Sequence, residues 1–384
     1  MSIEAIKFFD RHLGGIICAI LGVFSGHRHR EEFNAKSFKN ILVVQLWGVG
    51  ESILTLPSIC ALSQNFSNIG IDVLVTQRNK DVYFGNNAIK RLIKLDTGLF
   101  SIISFILSNF RKYDVVIDME EYLNISSIIS FFVGKTRIGY SHNARSRLYT
   151  ARIDYNDKQH VAQTFLDLAR VLKVDYKKER LPNLVYTKLD EENVEKLLKK
   201  SSVENQALII GIAPGAAESA KCRMWPYDKY AELCNTLITN YSALIVFVGT
   251  KEEKRLIEAI EPKIIQKNNI LNLAGMLSLR ELSYFVKKCK LFISNDSGAM
   301  HVAAVQGTKT IGLFGPNLPV RFGPYGKGNI AIYKGHNCKF SPCINVHKGE
   351  VPDCLYQNDS EDYQKCMKNI SVEDVLGKVE KMMG

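Results

Sequence analysis

The feature that most restricts the fold is an alternation of short β-rich apolar runs with helical stretches, and it occurs twice along the 384 residues. Short apolar strands separated by helices are typical of parallel βαβ units covered on both faces. A polar, charged interval at 173–195 separates the two halves. The predicted strands cover residues 41–46, 71–75 and 113–118 before it, and 207–213, 243–248, 270–273, 291–294 and 310–314 after it. The sequence therefore predicts an α/β protein with two doubly wound, Rossmann-like domains that face each other across a cleft.

Charge and composition exclude several classes of protein. The 50 Lys and Arg against 39 Asp and Glu give a net charge of +11, which favours an anionic partner. The 46% apolar and 23% charged fractions are those of a globular chain. No apolar run reaches the ~20 residues of a membrane-spanning helix. We predict no nucleic-acid partner, because the cations are not interleaved with aromatic residues along one stretch.

Residues 1–37 are predicted to form an amphipathic N-terminal segment. Apolar residues recur with a near-helical period between Ile6 and Phe24, and a basic cluster, His27-Arg28-His29-Arg30, follows at once. A signal peptide is rejected, because its basic residues would come first and a small-residue cleavage site would follow. Two interpretations stay open: the helix packs on the body, or it lies in an anionic membrane interface beside the cluster. The expected location is cytoplasmic, with peripheral attachment to the inner face of the cytoplasmic membrane as the second interpretation.

Nine scattered cysteines indicate reduced thiols in a cytosolic protein. Four of them fall in one polar C-terminal stretch: Cys338, Cys343, Cys354 and Cys366. Their intervals are longer than the C-x2-C pairs of zinc sites, so the favoured interpretation is loop thiols, with a bound metal or a regulated disulfide as the alternative. No metal and no cofactor are predicted.

In doubly wound sheets, ligands bind beyond the carboxyl ends of the strands. The first such loop contains Gly48-Val49-Gly50-Glu51-Ser52, and Ile53 stands where a dinucleotide fingerprint needs its third glycine. A nicotinamide site is therefore not expected. Glycines here let a bulky substrate approach, so Gly48, Gly50 and Ser52 are predicted to form a substrate-binding loop. A helix N-terminus favours an ionised carboxylate, which suits Glu51 as a proton acceptor; the alternative is that Glu51 only caps its helix.

Two loops of the second half are predicted to bind an anionic ligand. Pro214-Gly215 and the small residues after it let a ligand approach, and Lys221 or Arg223 can neutralise a phosphate. In Asn295-Asp296-Ser297-Gly298, the free N–H groups at a helix start would bind a diphosphate. Asp296 can accept hydrogen bonds from sugar hydroxyls, whereas His301, one turn into the helix, is expected to pack or to orient.

Together these segments resemble glycosyltransferase family 9, the lipopolysaccharide heptosyltransferases, from about Lys39 to the C-terminus. The resemblance rests on six segments in the family's order: Ile41–Pro57, Gly134–Tyr140, Ala213–Pro226, Leu273–Leu282, Asn295–His301 and Leu313–Gly326. It implies the two-domain GT-B fold, with an acceptor-binding domain over 38–186 and a nucleotide-sugar-binding domain over 187–384 that carries the cysteine-bearing tail. Similar enzymes invert the anomeric centre without a metal and typically use ADP-heptose to extend the lipopolysaccharide inner core.

The resemblance also implies roles for single residues. Glu51 stands where the family usually has a catalytic Asp, and Lys221 and Arg223 both lie near the position of its phosphate-binding Lys. Asp296, Ser297 and Gly298 match the donor-diphosphate loop, and Glu253 and Met276 fall near positions that hold the adenosine. The implied partners are a nucleotide-sugar donor and a lipid-linked or glycan acceptor.

The implied reaction is a direct displacement in which Glu51 deprotonates an acceptor hydroxyl while Lys221 or Arg223 and the helix amides stabilise the departing diphosphate. The alternatives are a nucleotide-sugar epimerase or hydrolase, and a non-catalytic envelope-glycan binding protein.

Overall fold

The computed structural model of the chain describes residues 10–25, 38–66, 68–200, 208–216 and 218–383. The chain divides into two compact units, one of Met1–Lys178 with Val346–Gly349 and the other of Glu179–Asn345 with Glu350–Gly384. Each unit contains one six-stranded sheet in which every pair of neighbouring strands is parallel. The predicted α/β class with two doubly wound sheets is therefore confirmed.

The sheet of the first unit has the strand order β3-β2-β1-β4-β5-β6. Its strands are β1 (Asn40–Val44), β2 (Gly70–Val75), β3 (Arg91–Lys94), β4 (Tyr113–Asp118), β5 (Gly134–Tyr140) and β6 (Ala151–Ile153). In the register of the centre, Ile41 pairs with Ile71 on one side and with Val115 on the other. The central strands β1 and β4 are mostly apolar because helices cover both faces of a parallel sheet.

The helices of the first unit form two packed groups. Their bounds are a π-turn at Asp10–Gly14 and α-helices at Gly15–Phe24, Val49–Asn65, Leu99–Ser108, Asn124–Val133 and Val161–Arg170. Val49–Asn65 packs against Val161–Arg170, whereas Gly15–Phe24 and Leu99–Ser108 both pack against Asn124–Val133. The carboxylate of Asp10 accepts hydrogen bonds from the backbone N–H groups of Asn124 and Ile125 and so joins the π-turn to the start of that helix.

The sheet of the second unit repeats the same order, β12-β11-β10-β7-β8-β9. Its strands are β7 (Ile209–Ala213), β8 (Leu244–Phe247), β9 (Ile270–Asn272), β10 (Leu291–Asn295), β11 (Thr310–Phe314) and β12 (Ile330–Tyr333). The α-helices are Lys188–Lys200, Tyr227–Tyr241, Lys254–Ile260, Leu279–Phe285, Gly298–Val305, Pro319–Phe322, Lys365–Lys368 and Val372–Met383. A single apolar core joins this sheet to the C-terminal helix, and the ring of Trp225 is buried in it.

Each strand order changes direction once, between β1 and β4 in the first unit and between β7 and β10 in the second. At such a switch point the loops that follow two neighbouring strands run in opposite directions, which leaves a crevice at the carboxyl edge of the sheet. The loops with the candidate residues follow these central strands, so the topology places one candidate region on each unit.

The predicted N-terminal helix is present from Gly15 to Phe24, with Cys18 and Gly22 buried against the first unit. The basic cluster at 27–30 lies outside the described residues. None of the helices in the described ranges has both the length and the apolarity that crossing a bilayer requires.

Candidate active site

The turn after β1 is shaped to hold a carboxylate at the start of a helix. Gly48 has a φ of +63° and precedes the helix Val49–Asn65. A Cβ atom at Gly48 would lie 1.9 Å from Oε2 of Glu51. Glycine is therefore required twice at this position, by the left-handed backbone and by the carboxylate that lies against it.

Glu51 is a half-buried carboxylate in the first turn of this helix. In the part of the chain that the structure describes, its side chain forms no hydrogen bond and no ion pair. Burial raises the pKa of the nearby Tyr122 phenol, and the negative charges of Glu120 and then Glu51 raise it further. Glu51 thus has an unpaired carboxylate within the described residues, next to the positive end of a helix dipole.

Glu120, which follows β4, holds the loop that leads to Gly48. Its Oε1 atom accepts hydrogen bonds from the backbone N–H of Leu46 at 2.6 Å and of Trp47 at 2.8 Å, and from Nε2 of Gln45 at 3.1 Å. Burial and then the charge of Asp118 raise the pKa of Glu120 to about 8. Glu120 was not predicted as a site residue, because nothing in the local sequence pattern distinguishes it from a surface acid.

Ser52 holds the same turn from the other side. Its Oγ donates to the carbonyl of Gly48 at 2.6 Å and accepts from Nδ2 of Asn79 at 2.8 Å, and the side chain is fully buried. Gly50 is also buried. Within the predicted loop of Gly48, Gly50 and Ser52, Ser52 therefore shapes the turn that carries Glu51.

Asn295 closes the switch point of the second unit. Its Oδ1 accepts from the backbone N–H of Trp225 at 3.1 Å and from the Tyr230 hydroxyl at 3.0 Å. Its Nδ2 donates to the carbonyl of Pro214 at 2.6 Å and to that of Gly215 at 3.3 Å. The side chain is fully buried, so one amide fixes both ends of the 214–225 loop. The sequence motif contains Asn295, but its tethering role is visible only in the structure.

Arg223, rather than Lys221, points toward the loop after β10. Its guanidinium lies 3.3 Å from the carboxylate of Asp296, and the two side chains are 15% and 4% exposed. Asn317 donates to the same carboxylate at 2.9 Å, a contact that the sequence analysis did not foresee. Lys221 is exposed, and its backbone carbonyl accepts from Gln364 Nε2 at 2.8 Å. Of the two cations, Arg223 is thus the one held beside the candidate diphosphate loop.

The helix that begins at Gly298 has an open N-terminus. The side chain of Ser297, the residue before it, makes no capping hydrogen bond; its Oγ lies 3.0 Å from Oγ of Ser294. The first N–H groups of an α-helix have no partner within the helix and carry the positive end of its dipole. With Arg223 close by, this helix end suits a ligand with two negative charges.

Glu253 and Gly215 bring the loops after β7 and β8 together. A Cβ atom at Gly215 would lie 2.1 Å from Oε1 of Glu253, whose Oε2 accepts from the Thr250 N–H at 2.7 Å. Burial raises the pKa of Glu253. Met276, after β9, is 52% exposed, whereas His301 is only 4% exposed inside its helix. Glu253 and Met276 thus lie at the carboxyl edge of the sheet, and His301 lies beneath it.

The four C-terminal cysteines are free thiols near one another. Burial, and then the neighbouring thiols Cys354 and Cys338, raise the pKa of the Cys343 thiol to about 11. The Cys354 sulfur accepts from the Gln364 N–H at 3.4 Å. Among the described residues, no group of three or more His, Cys, Asp or Glu side chains is placed to hold a metal ion.

Comparison with known proteins gives consistent results. The family model described as glycosyltransferase family 9 (heptosyltransferase) matches residues 109–349. Lipooligosaccharide heptosyltransferase 2 of Haemophilus influenzae is 27% identical over 295 residues, which cover 73% of this chain and 84% of that protein.

Two solved structures share the fold. The family 9 glycosyl transferase of Veillonella parvula superposes with a TM-score of 0.76 at 20% identity, over 92% of this chain and 99% of that chain. The ADP-heptose lipopolysaccharide heptosyltransferase II of Escherichia coli gives a TM-score of 0.68 at 20% identity, over 90% of this chain and 98% of that chain. The predicted GT-B fold is confirmed by these likenesses.

Proposed function

This chain belongs to glycosyltransferase family 9 (heptosyltransferase) and is a glycosyltransferase, and we propose that it transfers a heptose from ADP-heptose to a hydroxyl of a lipopolysaccharide core or a related envelope glycan. The nature of the relatives supports the donor and the acceptor: one acts on lipooligosaccharide and another carries ADP-heptose in its name. The proposed place of action is the inner face of the cytoplasmic membrane, where a lipid-linked acceptor would be anchored.

The observation that carries the donor side of the proposal is the open helix start at Ser297–Gly298 beside Arg223. Breaking the bond between sugar and diphosphate leaves additional negative charge on the leaving group. N–H dipoles and a guanidinium that are already in place stabilise that charge without reorganising during the reaction. Asp296 fixes the guanidinium by its ion pair, and Asn295 fixes the loop on which Arg223 lies.

On the acceptor side, we assign the base to Glu51. Its carboxylate is unpaired within the described residues and half-buried in the first turn of its helix. It would take the proton of an acceptor hydroxyl as the oxygen attacks the anomeric carbon from the face opposite the diphosphate. One displacement of this kind inverts the anomeric centre. The proposal includes no metal, because the protein's own cations and dipoles supply the charge that the leaving group needs.

The direct test is acceptor-dependent release of ADP from ADP-heptose, with the anomeric configuration of the product read by NMR. We expect one ADP per transferred heptose, an inverted product and no loss of rate in EDTA. Release of free heptose without an acceptor would identify a hydrolase instead. A strong loss of rate in EDTA, restored by a divalent ion, would refute the metal-independent mechanism.

A further inference from the structure

Tyr122 is a half-buried tyrosine in the loop after β4, the strand that pairs with β1 at the switch point of the first sheet. Burial raises the pKa of its phenol, and the negative charges of Glu120 and then Glu51 raise it further, so both carboxylates lie within electrostatic reach. Glu120 also holds the loop that leads to Glu51. The loops after two neighbouring strands thus bring a phenol and the proposed base to the same edge of the sheet.

The hydroxyl of Tyr122 has no hydrogen-bond partner in the described part of the chain, and neither has the carboxylate of Glu51. Because its pKa is raised, the phenol stays protonated at neutral pH and keeps its O–H as a donor. An ionised carboxylate can only accept. This edge of the sheet therefore presents one donor and one acceptor. A sugar with neighbouring hydroxyls, each of which both donates and accepts, complements such a pair.

The ring of Tyr122 is held by packing. It lies against the apolar core of the first unit, and the backbone of Gly349 lies close to it: a Cβ atom at Gly349 would be 3.5 Å from Cδ2 of the ring. Gly349 has a φ of +70°, which favours glycine, and its N–H donates to the carbonyl of Val346 at 2.8 Å. A tight turn thus supports the ring, so the place of the phenol oxygen does not depend on a hydrogen bond of its own.

This turn, Val346–Gly349, comes from far along the sequence but belongs to the first unit. Its buried His347 stacks on Tyr155, with the ring centroids 4.5 Å apart and the planes 9° from parallel. The Tyr155 hydroxyl donates to the carboxylate of Glu121, the residue before Tyr122. The stack therefore anchors the turn on the loop that carries Tyr122.

We infer that Tyr122 is a further binding residue of the acceptor site, and that its hydroxyl donates a hydrogen bond to the acceptor sugar next to the hydroxyl that Glu51 deprotonates. The inference rests on the proposed function and adds how the acceptor is oriented. Two contacts on neighbouring hydroxyls fix both the position and the rotation of a sugar ring, whereas a contact with Glu51 alone leaves the ring free to turn. The acceptor class that fits is a sugar with a second hydroxyl beside the attacking one.

Tyr122→Phe tests the inference, because packing holds the ring and the change removes only the hydroxyl. The assay is ADP release from ADP-heptose, with deacylated lipopolysaccharide core oligosaccharide as the acceptor. We expect kcat/KM for the oligosaccharide to fall about 3- to 10-fold, the effect of one lost hydrogen bond to a ligand. The affinity for ADP should stay within about 2-fold of wild type, since the donor-side residues are unchanged.

The matched control is Tyr227→Phe, which removes a 44% exposed phenol from the second unit and should change kcat/KM less than ~2-fold. If the wild type is active and Tyr122→Phe has the same kcat/KM for the oligosaccharide, the inference is overturned and the proposed function stands. If the wild type transfers no sugar to any core oligosaccharide, the proposed function fails and the inference fails with it.

A fluorine label separates contact with the acceptor from a role in packing alone. Incorporating meta-fluorotyrosine in place of Tyr122 keeps the ring and the hydroxyl, so the label also serves if Tyr122→Phe misfolds. We expect its fluorine NMR signal to shift as core oligosaccharide is added, whereas the same label in place of Tyr227 should not shift. An unshifted signal at an oligosaccharide concentration that saturates transfer would overturn the inference.

Discussion

Replacement of Asn295 by Asp would test how the donor side is held together. The change keeps Oδ1, which accepts from Trp225 N–H and Tyr230 OH, but it puts an oxygen where Nδ2 donates to Pro214 O at 2.6 Å. A buried group that loses its hydrogen-bond partner costs about 1–3 kcal/mol. Because Nδ2 holds the loop that leads to Arg223, we expect a similar loss of ADP binding, about 5- to 150-fold.

The same variant should acquire a pH dependence with a definite sign. An aspartate at this buried position would face two carbonyl oxygens, and both burial and those oxygens favour its protonated form. Its pKa in the folded state would therefore lie above the ordinary value of about 3.9. Protonated Asp can still donate one hydrogen bond. The stability of the variant is therefore retained below the unfolded-state pKa of the introduced carboxyl group. It is lost as the pH rises through the folded-state pKa of that group.

The assay is urea unfolding and ADP calorimetry of wild type, Asn295→Asp and Asn295→Ala at about pH 5 and pH 8, on either side of the expected folded-state titration. Relative to wild type, we expect the Asp variant to lose less stability and less ADP affinity at pH 5 than at pH 8. The Ala variant should differ from wild type by the same amount at both pH values, since it adds no titrating group. An Asp variant as stable as wild type at pH 8 would refute the tethering role.

Other parts of the site give predictions of different kinds. Arg223→Gln should weaken ADP binding at least ~10-fold, because it removes the cation beside Asp296, whereas Lys221→Gln should weaken it less than ~3-fold. Calorimetry measures both affinities. A larger loss for Lys221→Gln than for Arg223→Gln would assign diphosphate binding to Lys221. Glu120→Gln should flatten the pH dependence of the free energy of unfolding. Because the pKa of Glu120 is about 8 in the folded state, the wild-type protein loses stability as the pH rises from about 4.5 to 8, whereas the Gln variant has no titrating group at this position. Identical pH profiles of the two proteins would exclude the titration of Glu120. Gly48→Ala should displace Glu51 and lower turnover at least ~10-fold, because a Cβ atom would collide with the carboxylate. ADP binding, which the control measures, should not change. Normal turnover would show that the turn tolerates a Cβ atom.

The sequence alone predicted the architecture where its pattern was strongest. The central strands β1, β4, β7 and β10 are apolar runs, so their positions and their parallel arrangement could be predicted. Strands β3, β5, β6 and β12 were not predicted: β3, for example, reads Arg-Leu-Ile-Lys and is mostly exposed, and β5 contains Lys, Thr and Arg. Such strands are recognisable only by the neighbour with which they pair.

The candidate site shows the same division. Motif and position indicated Glu51, Ser297 and a cation at Lys221 or Arg223, because strand ends and helix starts are visible in a sequence. Glu120 and Asn295 could not be assigned, because each acts through hydrogen bonds to residues about 70 or more positions away. The two are equivalent in the fold: each belongs to the fourth strand of its unit, or directly follows it, and bonds to the loop after the first. A single sequence does not contain this long-range pairing.

The proposed mechanism depends on a carboxylate that removes the acceptor's proton while the donor is held by other residues. Its most direct test is the rate of heptose transfer from ADP-heptose by Glu51→Gln under single-turnover conditions, with ADP affinity measured on the same sample. We predict a rate at least ~10²-fold below wild type and an ADP affinity within about 2-fold of it. A rate close to that of wild type would contradict the mechanism.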